Sequence, residues 1–125
     1  MDIYDLINDY LEHLEVEAGR SKKTVDNYRL YLERFAEIAT EISNKDNFTV
    51  QDITKELLRK YRIKLNRLGT DNGSEDLKVI TQTYHLIALR GFLKYLAKRD
   101  IKSLDPSLVE LPHVHRKQVT LWQIS

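Results

Sequence analysis

The sequence predicts an all-α fold, a small bundle of four main helices followed by an extended basic C-terminal linker. Apolar residues recur at steps of three and four in four segments, which is the spacing of one face of a helix. Ser, Thr and Gly stand near the ends of these segments, where helix caps are expected. The 125 residues, 42% hydrophobic and 31% charged, are typical of one soluble domain with a sizeable core. No strand is predicted.

The most apolar segment, Ser74–Lys98, is predicted to be the central helix of the bundle. Its C-terminal half is apolar on nearly all sides, which predicts burial among the other helices. Its N-terminal half places Lys78, Gln82 and His85 within about 60° of one another, so we expect a polar face there. Tyr84 lies on the apolar row of the same half. Packing is therefore at least as good an interpretation of this residue as binding.

The other three helices are predicted from their apolar stripes and their caps. Ser21 is the predicted N-cap of the second helix, and Thr49 and Asp52 have the spacing of a capping box before the third. Gly91 lies inside the central helix at a cost of roughly 1 kcal/mol relative to Ala, which predicts a close approach of another helix. The predicted bounds of the three helices are Ile3–Glu17, Lys22–Ile42 and Lys55–Leu68.

The net charge of +1 conceals an asymmetry along the chain. Residues 1–18 hold six acidic residues and no Lys or Arg, a charge of −6, so the remainder carries +7 to reach the total of +1. This split suits a domain in which the residues after the first helix bind phosphates and the first helix has another role. A charge-balanced surface with a chance cluster explains the same numbers equally well.

The start of the second helix is a candidate phosphate site. It combines backbone N–H groups of a first helical turn, a hydroxyl cap and several cations, which together favour an anion. An ordinary capped helix with solvated lysines explains the same pattern. The residues concerned are Arg20, Lys22, Lys23, Thr24 and Asn27, with Ser21 as the cap.

The sequence shows no catalytic constellation. It has no cysteine, no glycine-rich phosphate loop and no H-E-x-x-H or G-x-S-x-G motif. His113 and His115 form one H-x-H pair in a basic strip, which is weak evidence for a metal. No apolar run reaches the roughly 20 residues of a membrane span, and the acidic N-terminus lacks the basic region of a signal peptide. We expect a cytoplasmic binding module with no cofactor and no membrane partner.

Beyond residue 100 the helical pattern stops. Both prolines of the chain fall in the next twelve residues, and Pro106 is a candidate start of one short helical turn. A basic strip, His113–Lys117, follows, and Val119–Ser125 contains a Trp and three aliphatic residues. The predicted division is residues 1–100 for the helical bundle and residues 101–125 for a linker toward a further domain absent from this chain.

Two motifs carry a resemblance to a known family. The first is S-x-x-T-x-x-x-Y, formed by Ser21, Thr24 and Tyr28, and the second is L-x-A-L-R-x-F-x-x-Y-L, from Leu86 to Leu96. With their order, their spacing and the linker, the chain resembles the N-terminal core-binding domain of tyrosine recombinases, the phage integrase and Xer family. The resemblance implies a SAM-like bundle of four helices that forms half of a C-shaped clamp around duplex DNA, followed by a linker to a catalytic domain.

The resemblance implies a DNA-binding site on the second and fourth helices. The family often has an Arg or Lys where this chain has Tyr84 and His85. Arg90 matches the arginine of the second motif, and a phosphate contact and support of the bundle are both open for it. The candidate DNA-binding residues are Arg20, Ser21, Lys22, Lys23, Thr24, Asn27, Lys78, Thr81, Gln82, Thr83, Tyr84, His85, Arg90, Arg116 and Lys117.

The resemblance also implies partners and an activity for the full-length protein. Double-stranded DNA at a recombination half-site is the expected partner, with other recombinase protomers contacted through the acidic first helix. The full-length protein would carry out DNA integration or recombination through a phosphotyrosyl intermediate, without an organic cofactor. The family's catalytic residues lie in its C-terminal domain. No catalytic residue is therefore assigned here, and the chain alone is not expected to be an enzyme.

An all-helical protein–protein interaction domain without direct DNA contact is the alternative. The acidic first helix and the apolar residues around Trp122 favour it. The first hypothesis predicts a steep salt dependence, because DNA binding driven by phosphate contacts weakens as the salt concentration rises.

Overall fold

The structure is a computed structural model that describes residues 2–70 and 75–112, without the side chains of residues 69, 70 and 75–78. Within these residues it contains helices and no strand, so the predicted all-α bundle is confirmed. Two short 3-10 turns, Val50–Asp52 and Pro106–Leu108, lie between and after the main helices. The four helices are α1, Ile3–Glu12; α2, Lys22–Ser43; α3, Lys55–Thr70; and α4, Glu75–Lys98.

Side-chain caps fix the starts of the helices where the sequence predicts them. Ser21 Oγ accepts a hydrogen bond from the Thr24 backbone N–H at 3.2 Å at the start of α2. The Thr49 backbone N–H donates to the Asp52 carboxylate at 2.9 Å, which completes the predicted capping box. Before α3, the Thr54 hydroxyl accepts from the backbone N–H of the third residue along at 3.1 Å. Each bond satisfies an N–H group that the helix itself leaves without a partner.

The first helix ends at its predicted residue, whereas the third runs further than predicted. The first helix continues beyond α1 as a π-helix, His13–Glu17, so it ends where the sequence predicts. Leu14 within this π-helix is buried. Gly19 follows with a φ of +65°, the left-handed conformation that commonly ends a helix. α3 runs two residues beyond its predicted end at Leu68, whose side chain is 46% exposed.

The core lies where the apolar faces of the four helices meet. α4 packs against both α2 and α3, and a row of leucines along its C-terminal half is fully buried. The Phe35 ring of α2 meets the Tyr61 ring of α3 edge to face, with centroids 4.8 Å apart. The buried residues of this α4 row are Leu86, Leu89, Leu93 and Leu96.

α1 crosses α4 at Gly91, which confirms the predicted close approach. A Cβ atom at this position would collide with the Tyr10 hydroxyl of α1. The Tyr10 ring also packs 5.8 Å from the Phe92 ring and 5.3 Å from the Tyr95 ring, measured between centroids. Glycine therefore lets an aromatic side chain of α1 lie directly on the α4 backbone.

Residues 101–111, here called the C-terminal strap, pack back onto the bundle. Ser103 Oγ donates to the Val50 carbonyl at 2.8 Å, and the Arg62 guanidinium donates to the Glu110 carbonyl. Val109 is buried, with 1% of its surface exposed. The predicted short turn at Pro106 is present within the strap. The basic strip and the apolar tail predicted after it lie outside the described residues.

Candidate nucleic-acid interface

The first turn of α2 is a capped helix N-terminus flanked by cations. Ser21 Oγ donates to Thr24 Oγ1 at 3.0 Å, in addition to its cap bond. Lys22 and Lys23 are both exposed, and the Lys22 ammonium lies 3.0 Å from the Asp26 carboxylate. Such an exposed pair adds little stability and is readily exchanged for another anion. The arrangement fits the predicted phosphate site, because helix N-termini and nearby cations both favour negative charge.

α2 and α4 run in opposite directions along their contact. The Tyr31 ring of α2 lies 4.5 Å from the His85 ring of α4. Tyr28, one turn earlier on α2, lies 6.5 Å from the Tyr10 ring of α1 between centroids. Tyr95 of α4 lies 5.3 Å from the same ring. The first turn of α2 therefore lies toward the C-terminal end of α4, and the front half of α4 lies beside the middle of α2. The predicted site residues form two separate groups along this contact.

One face of α2 connects the two groups. Thr24, Asn27, Tyr31 and Arg34 follow at steps of three, four and three, so they share one side of the helix. Thr24 and Arg34 are ten residues apart, or about 15 Å along the axis. Asn27 is exposed and the other three are half-buried. Tyr31 and Arg34 are not among the residues predicted from the sequence, although their spacing from Thr24 is a signal that identifies them.

The front half of α4 is less uniform than the sequence predicts. Gln82 Nε2 donates to the side-chain oxygen Oδ1 of Asn66 at 3.0 Å, so this side chain lies toward α3. Thr83 Oγ1 donates to the Val79 carbonyl of its own helix at 2.8 Å. Tyr84 is 45% exposed, so the interpretation of this residue as core packing is wrong. Its aromatic ring is accessible to a partner.

His85 is buried, with 1% of its surface exposed, so the prediction of an open polar face is wrong at this residue. Its Nδ1 lies 2.7 Å from the Thr81 carbonyl oxygen, and its Nε2 lies 3.2 Å from the Arg34 guanidinium. A carbonyl can only accept and a guanidinium can only donate. The proton is therefore on Nδ1, and the imidazole is neutral. Burial lowers the pKa of His85, the Thr81 carbonyl opposes this, and the Arg34 charge lowers it further.

These residues define a surface that we call the α2–α4 face. It combines a helix N-terminus, a half-buried arginine and accessible tyrosine and threonine side chains. Burial raises the pKa of Tyr31, and the neighbouring Tyr84 and Tyr28 hydroxyls raise it further, so its hydroxyl keeps its proton as a hydrogen-bond donor. The members of the face are Thr24, Asn27, Tyr31 and Arg34 of α2 with Thr81 and Tyr84 of α4.

Arg20 lies in a groove at the end of the bundle. The open groove, of about 720 Å³, separates the π-helix from the C-terminal end of α4. It has a basic wall on α4 and an acidic wall on the first helix. The α4 wall contains Lys94, Lys98 and Arg99, and the opposite wall contains Asp9, Glu12 and Glu17.

Of the remaining predicted residues, only Arg90 has a side chain that the structure describes. Arg90 is half-buried on α4. Lys78 belongs to α4, but its side chain lies outside the described residues, as do Arg116 and Lys117 in the basic strip.

Residues 2–70 and 75–112 contain neither a metal-site cluster nor a membrane-spanning helix. No group of His, Asp or Glu side chains there is arranged to hold a metal ion. None of the helices in the same residues combines the length and the apolar character needed to cross a bilayer.

Comparison with known proteins assigns the bundle to a family. The model for the phage integrase, N-terminal SAM-like domain matches residues 7–100, so the chain belongs to this family. Two curated relatives, each named tyrosine recombinase XerD and each from a strain of Mycobacterium tuberculosis, are 27% identical to it over 96 residues. That alignment covers 77% of this chain and 30% of each relative, so the chain spans about a third of their length. No solved structure matches the chain.

Proposed function

We propose that this domain binds duplex DNA at a recombination half-site through the first turn of α2 and the α2–α4 face. The observation that carries the proposal is the continuous α2 face from Thr24 to Arg34, which joins a cationic helix N-terminus to the contact with α4. Backbone N–H groups and cations of this kind bind phosphates and fix the register of a protein on DNA. The half-buried side chains beside them suit contacts with groove edges or sugars.

We also propose that the whole protein is a tyrosine recombinase and that this domain is its non-catalytic part. The family assignment and the names of the two relatives support this. The relatives are about three times as long as the matched segment, which leaves room for a catalytic domain. In this proposal residues 1–100 form the core-binding bundle, the linker leads onward from it, and the protein acts on DNA in the cytoplasm.

A contact with another protomer is the second candidate role, and the groove at the end of the bundle favours it. Its acidic wall belongs to the first helix, where a phosphate backbone would be repelled. Val16 beside it is 77% exposed. An acidic helix with an exposed aliphatic side chain suits a protein surface better than a DNA surface. This role is compatible with DNA binding on the α2–α4 face.

Fluorescence anisotropy with a labelled duplex tests the DNA-binding proposal. We expect binding at low salt. The logarithm of the binding constant should fall linearly with the logarithm of the salt concentration. Lys23→Gln should weaken binding several-fold and reduce the slope by about 0.9, the value for one lost phosphate contact.

The matched control is Lys45→Gln, which removes the same charge near the opposite end of α2, about 33 Å away along the helix. Its loss of an ion pair with Asp52 is a small surface effect. We expect nearly unchanged DNA binding. Absence of binding by the unmodified chain at tens of micromolar, or equal losses from both variants, would reject the proposed surface.

A further inference from the structure

Arg34 is a half-buried cation whose contacts among the described residues leave most of its guanidinium donors unused. Its guanidinium donates to His85 Nε2 at 3.2 Å. In the part of the chain that the structure describes, no carboxylate pairs with it. A guanidinium carries several N–H donors in a planar fork that matches a phosphate or a carboxylate. The partner expected for this group is therefore an anion from outside the domain.

His85 fixes the direction of this guanidinium. The imidazole is held by the Thr81 carbonyl on its other side, so its Nε2 lone pair has one orientation. The Tyr31 ring packs on the imidazole at 4.5 Å. A neutral histidine accepts from arginine without cancelling its charge, whereas a carboxylate in the same place would form an ion pair. The contact thus orders Arg34 and leaves its charge available.

We propose that Arg34 binds a DNA phosphate and that His85 is the positioning residue that orients it. The inference rests on the proposed DNA-binding function and adds a residue that the sequence motifs do not contain. Arg34 lies about 15 Å from Thr24 on the same α2 face, so it supplies a second anchor along the helix. The ordering of its side chain before binding lowers the entropy cost of the contact.

The test is anisotropy with Arg34→Gln on two duplexes of unrelated sequence. We expect roughly tenfold weaker binding to both and a salt slope smaller by about 0.9, because one phosphate contact is lost. Arg34→Lys should recover part of the affinity and the slope, since it retains the charge without the planar fork. The matched control is Arg29→Gln on the same helix. Arg29 already bonds Asn8 at 2.9 Å and lies 3.6 Å from the Glu33 carboxylate, so we expect little change.

His85 variants separate positioning from simple support of the fold. His85→Leu should weaken binding several-fold, whereas His85→Gln should retain much of it, since an amide can accept from Arg34 and donate to the Thr81 carbonyl. Combined with Arg34→Gln, the His85→Leu change should cost no further affinity, because it acts through the arginine. Circular dichroism and thermal unfolding identify any variant that has lost its fold.

The outcomes that overturn the inference differ from those that overturn the proposed function. If the unmodified chain binds neither duplex, DNA binding itself is rejected. If it binds but Arg34→Gln binds equally tightly with an unchanged slope, the role of Arg34 is rejected and DNA binding stands. A loss on only one duplex would assign Arg34 to a base instead of a phosphate. Additive losses in the double variant would reject the positioning role of His85.

Discussion

At the contact between α2 and α4, two hydrogen bonds of fixed direction hold His85 as the neutral imidazole. The Thr81 carbonyl requires a proton on Nδ1, and the Arg34 guanidinium requires a lone pair on Nε2. A second proton on Nε2 would remove the acceptor and place two cations in contact. The pKa of His85 is therefore lowered, first by burial, against the opposing effect of the Thr81 carbonyl, and further by Arg34.

This residue should make the stability of the fold depend on pH. The folded-state pKa of His85 lies below its ordinary value of 6.5, so the unfolded chain takes up a proton first as the pH falls. The favourable contribution is complete above pH 6.5 and is lost below it, with a slope of at most about 1.4 kcal/mol per pH unit. The measurement is the free energy of unfolding in urea from pH 8 to pH 5.

His85→Leu is the control for that measurement, because carboxylates elsewhere titrate equally in both proteins. We expect the free energy of unfolding of the unmodified chain to fall relative to that of the variant as the pH falls below 6.5. A difference that stays constant across this range would show that His85 is not held neutral.

Both ring nitrogens of His85 have hydrogen-bond partners, whereas the buried Tyr61 hydroxyl has none among the described residues. Such an oxygen loses its hydration on folding without compensation. We expect Tyr61→Phe to leave the free energy of unfolding unchanged or to raise it by about 1 kcal/mol. The control is Tyr95→Phe, which removes the acceptor of a 2.8 Å hydrogen bond from Arg99 and should cost about 1 kcal/mol. Equal destabilisation by both variants would contradict the assignment.

At the scale of elements, the crossing of α1 over α4 depends on a single missing methyl group. Gly91 gives the Tyr10 hydroxyl space against the α4 backbone, and Tyr10 in turn packs between the Phe92 and Tyr95 rings. The crossing therefore resists substitution from both sides, since a buried ring has little freedom to move.

Gly91→Ala tests this crossing. Helix propensity alone favours Ala by roughly 1 kcal/mol, whereas overpacking of a core contact costs typically 1–3 kcal/mol. Because the collision is with a buried ring, we expect net destabilisation of about 1 kcal/mol in urea unfolding. Tyr10→Phe in the Gly91→Ala background should recover stability by removing the colliding oxygen. A stabilised Gly91→Ala protein would show that α1 moves aside freely.

At the scale of the whole molecule, the C-terminal strap extends the packed part of the chain beyond α4. Val109 is buried at 1% exposure and Ser103 bonds the Val50 carbonyl. The strap thus connects the end of α4 to the turn before α3. We propose that the strap, although it follows the four-helix bundle of residues 1–100, is part of the same cooperative unit.

Paired alanine substitutions in the strap measure its contribution. Val109→Ala removes buried apolar surface and should lower the free energy of unfolding by roughly 2 kcal/mol. Leu108→Ala, at a neighbouring residue that is 39% exposed, should change it by less than about 0.5 kcal/mol. Equal small effects at both residues would show that the strap is not part of the cooperative unit.

Periodicity and capping rules predict most of this fold, because caps and apolar stripes are local features of the sequence. Ser21, the Thr49–Asp52 box and the buried row of α4 illustrate this. The candidate site is predicted less completely. A helical wheel gives the direction of His85 but not the ring of Tyr31 that covers it, and it does not reveal that Arg34 reaches across from α2. Contacts between residues 51 positions apart depend on how the helices cross.

Amide chemical-shift mapping of the isotope-labelled chain during titration with a duplex at low salt tests the central claim most directly. The account predicts salt-sensitive shifts concentrated on the first turn of α2 and on the α2–α4 face, from Thr24 through Arg34 and at Thr81 and Tyr84. Shifts confined to the first helix and its groove, with the α2–α4 face unchanged, would contradict it.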